Sequence, residues 1–67
     1  MYDVEVRWKE KGTDHWISTY FMILADDMDD AYVQAEEKFM GKMSEFGKEK
    51  IDTYEVHDIL PVLEEIR

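Results

Sequence analysis

The stretch DDMDDAYVQAEEKFMGKMSEFG, residues Asp26 to Gly47, decides the fold. At about 100° per residue, Met28, Ala31, Tyr32, Ala35, Phe39, Met43 and Phe46 fall within roughly a third of a helix circumference. The spacing predicts one amphipathic helix over residues 27–46. Asp26 or Asp27 can accept a hydrogen bond from the free amides of the first turn and is the expected N-cap. Asp26, Asp27, Asp29 and Asp30 stand where the positive end of the helix dipole favours negative charge, with Lys38 and Lys42 towards the other end. Gly47 follows Phe46 where a C′ residue of positive φ is expected. Gly41 costs about 1 kcal/mol relative to alanine, but it projects away from the apolar stripe, so the helix is expected to continue through it.

On either side of this helix the apolar period drops to two. Tyr2, Val4, Val6 and Trp8 alternate with Asp3, Glu5, Arg7 and Lys9, the pattern of a half-buried strand over residues 2–9. Gly12 marks a hairpin turn. Residues 15–24 are rich in β-branched and aromatic types and form the second strand. One of its faces carries Ile17, Thr19, Phe21 and Ile23, and the other Trp16, Ser18, Tyr20 and Met22. The third strand is expected over residues 51–60, with Tyr54, Val56 and Leu60 on one face and Ile51, Thr53, Glu55, His57 and Ile59 on the other. Pro61 has no amide hydrogen for a ladder and suits the first turn of a helix. Residues 61–67 are then a terminal helical turn or an extended tail.

The order is ββαβ. A hairpin joins the first two strands. The helix returns the chain parallel to the second strand, so the third fits beside the first. The expectation is an α+β domain in which one helix covers a three-stranded antiparallel sheet of order 2-1-3. Its other sheet face is wet, covered by the tail through Val62, Leu63 and Ile66, or an interface.

With 67 residues and no cysteine, the chain has room for one small core and no disulfide to support it. Self-association is therefore expected, with a homodimer as its simplest form. The N-terminal residues show no basic n-region or apolar h-region, so no signal peptide is expected, and the apolar run Tyr20 to Ala25 is too short for a bilayer. A cytoplasmic protein with no membrane partner is expected. Eight Lys and Arg stand against 17 Asp and Glu, a net charge of −9. That charge opposes direct contact with nucleic acid and favours a protein target with a basic surface.

No motif points to catalysis or to a cofactor. The Asp26–Asp30 cluster lacks the spacing and late glutamate of a calcium loop, so no metal is expected. His15 and His57 have no nucleophile at a recognisable spacing, and Gly12, Gly41 and Gly47 form no phosphate loop. Two candidate surfaces remain, both for partner binding. One is the aromatic face of the second strand, Trp16, Tyr20 and Met22, because Trp and Tyr concentrate at interface hot spots. The other is the acidic outer side of the helix, Asp26, Asp27, Asp29, Asp30 and Glu37. Spacings of about 6 to 10 Å along the helix let such carboxylates imitate a row of DNA phosphates.

The plan resembles small, acidic, cysteine-free proteins by which bacteriophages disable a host enzyme or defence complex. It is similar in its ββαβ order to the uracil-DNA glycosylase inhibitors of Bacillus phages. These also begin near a Tyr-Asp-Val strand, here Tyr2-Asp3-Val4, followed by a short turn and an aromatic second strand. The helix here is longer than theirs. Phage anti-CRISPR proteins include acidic domains of the same size. The resemblance implies a non-enzymatic inhibitor that occludes a host or defence protein, with nucleic-acid mimicry as one route. The alternative is a structural or accessory subunit that oligomerises through its aromatic sheet face.

Overall fold

The structure, a computed structural model, describes residues 1–62. Its elements are β1 (Tyr2–Glu10), β2 (Trp16–Ile23), α1 (Met28–Phe46), a single 3-10 turn (Lys48–Lys50) and β3 (Ile51–Pro61). The sheet is antiparallel throughout, in the order β2-β1-β3. This is the expected α+β architecture. Gly12, with φ 84°, makes the hairpin turn. Asp27 caps α1 by accepting from the Asp30 amide at 2.8 Å. Gly47, at φ 125°, ends α1 with its N–H donating to the Met43 carbonyl.

The core lies between α1 and one sheet face. Val4, Val6, Trp8 and Ile23 from the sheet are buried against Ala31, Ala35, Phe39 and Met43. The two alanines let the helix backbone approach, and the Phe39 ring fills the space beside Tyr54, with centroids 5.0 Å apart. Thr19, the one polar residue on this side of β2, accepts a hydrogen bond from Trp8 Nε1 at 3.2 Å. The indole therefore enters the core without an unsatisfied donor. The buried stripe is narrower than the helical period predicts. Met28, Tyr32 and Phe46 remain exposed, outside the line Ala31, Ala35, Phe39 and Met43 that is buried against the sheet. Phe46 instead packs edge-on against Trp8 at 5.5 Å.

β3 corrects two expectations. The register against β1 shifts between Glu5 and Val6 and again between Lys9 and Glu10, which leaves His57 and Asp52 as extra residues. Each bulge reverses the alternation of side chains. Ile51 and Ile59 therefore pack against the core, and Leu60 faces away and is exposed. Pro61 closes β3 opposite Tyr2 rather than opening a helix. β3 is an edge, where a missing N–H interrupts no inner ladder. Val62 continues the extended path, its N–H donating to the Met1 carbonyl at 2.9 Å. The expected cover by Leu63 and Ile66, and the rest of the tail, lie outside the described residues.

Candidate protein-interaction surfaces

Charge along α1 is divided. Asp26, Asp27, Asp29, Asp30, Glu36 and Glu37 occur with no lysine or arginine between them, whereas Lys38 to Lys50 holds four lysines against two glutamates. Asp29 and Asp30 stand in the first turn of α1, where the dipole favours anions, whereas the last turn carries no lysine or arginine. All four aspartates and Glu37 are exposed. Asp27 is occupied by capping, and Asp30 accepts from Gln34 Nε2 at 3.0 Å. The described ion pairs, Arg7–Glu5, Lys9–Asp52 and His57–Glu55, include none of the helix carboxylates. Their field is therefore directed to solvent.

Glu37 lies two turns beyond Asp30 at the rim of a shallow groove between α1 and β3. Val33, Met40 and Tyr54 floor it, and Glu36 and Glu37 edge it. The Tyr54 hydroxyl donates to Glu36 at 3.3 Å. Burial, followed by the neighbouring Glu36 charge, raises the Tyr54 pKa and keeps the phenol protonated as donor. In sequence, Val33 and Met40 only interrupt an acidic row. In the structure they give that row an apolar floor. The groove depends on contact between residues far apart in the chain, which no local spacing announces.

Trp16, Tyr20 and Met22 are exposed on the sheet face opposite α1. They do not make a continuous apolar plate. Ser18 stands between Trp16 and Tyr20, and its hydroxyl donates to Glu5 at 2.7 Å. The bond from Ser18, then that from Arg7, holds the Glu5 carboxyl below the usual carboxylate range. Asp3, Glu5, Arg7 and Lys9 of the central strand divide β2 from β3 on this face. Lys9 Nζ lies 5.5 Å from the Trp16 ring centroid. The aromatic row therefore runs along the border of the sheet, beside a charged middle.

Among the described residues, no group of three or more His, Asp or Glu side chains is placed to hold a metal ion, and no helix is long and apolar enough to cross a membrane. Comparison with protein-family models, curated proteins and solved structures finds no match to this chain.

Proposed function

We propose that this protein is a non-enzymatic interaction module. Its acidic helix binds a basic surface of a protein target and occludes it, in the manner of a phage-type inhibitor of a host or defence protein. The observation that carries the reading is the run Asp26–Glu37, with six carboxylates, no cation and no described ion pair drawing on it. Solubility is served by charge spread over the whole surface and does not call for one sign gathered in a single run. Here one sign is concentrated on the outer half-helix and placed next to an apolar groove. A basic segment carrying an apolar side chain fits that pairing, with lysines or arginines on the rim and the apolar group against Val33 and Met40. If the target's basic surface is one that holds nucleic acid, the carboxylates take the place of phosphates.

The test is affinity capture from bacterial lysate, with the retained proteins identified at two salt concentrations. The Debye length falls from about 10 Å at 0.1 M to about 3 Å at 1 M. A basic, nucleic-acid-binding protein retained at low salt, released at high salt and displaced by duplex DNA is the expected result. Retention that ignores salt and DNA rejects the reading.

A further inference from the structure

We propose that β2 is a self-complementary dimer edge. Two copies of this chain join antiparallel through it, about a twofold axis at Thr19, to make one six-stranded sheet. This does not rest on the acidic-helix reading.

The two edges of the sheet are built differently. β3 carries two register shifts, the terminal Pro61 and the charges of Asp52, Glu55 and Asp58. These devices block pairing with a further strand. β2 has none of them. It pairs with β1 without a register shift from Trp16 to Ile23, and no charged residue occurs between Trp16 and Ala25. A long, regular, uncharged edge is a template for another strand.

Hydrogen-bond direction shows which groups that edge offers. Met1 C=O and Lys11 N–H both bond towards β3, so the odd residues of β1 face β3 and the even ones face β2. Through the register, Ile17, Thr19, Phe21 and Ile23 are engaged by β1. Trp16, Ser18, Tyr20 and Met22 turn their N–H and C=O groups outward. The Leu24 carbonyl is already taken by Gln34 Nε2 at 3.2 Å, which marks the end of the free edge.

A symmetric pair must match outward groups with outward groups. Centring the axis on Thr19 uses all four such residues. Trp16 then faces Met22 of the second copy and Ser18 faces Tyr20, giving about eight inter-chain hydrogen bonds. On the helix side, Ile17 faces Phe21 and Thr19 faces its own copy. The chemistry is mirrored about Thr19: apolar on apolar at both outer positions, thioether against indole, hydroxyl against hydroxyl at the centre. The helix leans towards β1 and β3, leaving Ile17 41% exposed and Phe21 half-buried on the core side of β2. The second copy supplies the missing cover. Two chains of charge −9 meet along the segment where neither carries a charge. That mirrored pattern favours a second copy over an unrelated strand, which has no need of it.

Light scattering during gel filtration at high micromolar concentration should give about twice the chain mass of 8.1 kDa. Tyr20→Lys, at an exposed position opposite Ser18 of the partner copy, should return the mass to one chain with unchanged circular dichroism. Thr19→Cys places the only thiol of the chain on the axis, in a non-hydrogen-bonded pair close enough for a disulfide. Mild oxidation should give a covalent dimer, while Thr13→Cys in the hairpin turn should not. A single-chain mass for the wild type overturns the proposal. So does a dimer that survives Tyr20→Lys and whose Thr19→Cys variant cross-links no faster than Thr13→Cys.

Discussion

Phe39→Ala tests the packing on which every surface described above depends. Phe39 is fully buried, lies at the middle of the helix stripe and meets the Tyr54 ring at 5.0 Å. Removing a buried phenyl costs about 3 to 5 kcal/mol, including the cavity left behind. A domain of 67 residues has a stability of roughly 3 to 10 kcal/mol, so the loss takes a large share of it. Each kcal/mol moves Tm by about 4 to 8 °C in a domain of this size, which makes the expected fall about 12 to 40 °C. Phe39→Asp adds an uncompensated charge and should prevent folding. Thermal melts followed by circular dichroism at one fixed protein concentration measure both, because association also contributes to Tm. Tyr32→Ala, at an exposed site on the same helix, is the control and should move Tm little. A Phe39→Ala melt within a few degrees of that control refutes the core described here.

Asp27→Ala should cost about 1 kcal/mol by removing the cap on the Asp30 amide, and Asp27→Asn should cost only tenths, measured by urea unfolding. Ile59→Ala should destabilise by about 2 kcal/mol and Leu60→Ala by less than about 0.5; the reverse order would show that the bulge at His57 is absent. Glu5 has a lowered pKa, so it contributes stability above its unfolded pKa that is lost as the pH falls through the folded value. Ser18→Ala should move the Glu5 titration upward in an NMR pH series, and an unchanged midpoint would remove Ser18 as the main cause.

The helix, its cap as Asp26 or Asp27, and the hairpin are legible in the sequence because each depends on local spacing, and the strand order follows from the handedness of the helix crossover. Asp27 precedes the first apolar turn, Gly47 follows the last, and the period changes cleanly at both ends. The bulges are not legible. Ile51, Ile59 and Leu60 alternate as in a regular strand, and only pairing with β1 shows that His57 and Asp52 are extra residues. Angular position alone also places Met28 and Tyr32 in the core, since it carries no information about where on the sheet the helix lies. At the candidate site, the acidic residues and the aromatic row are legible as sets. The groove formed by Val33, Met40 and Tyr54 is not, because it joins α1 to β3. The contrast between a blunted β3 edge and an open β2 edge also requires the strand order before it has meaning.

Under the proposed function, the run Asp26–Glu37 at the N-terminal end of α1 engages a basic partner through its exposed carboxylates. Replacing Asp26, Asp27, Asp29 and Asp30 with Asn, and Glu37 with Gln, removes five negative charges while keeping side-chain size and the capping oxygen of residue 27. Glu36 is left in place because it accepts the Tyr54 hydroxyl. The decisive measurement is the amount of partner captured from lysate at low salt by this variant, relative to the wild type, after circular dichroism shows both to be folded. Capture should be lost. Capture of the same partner at full strength would contradict it and would leave the acidic helix as a solvated face.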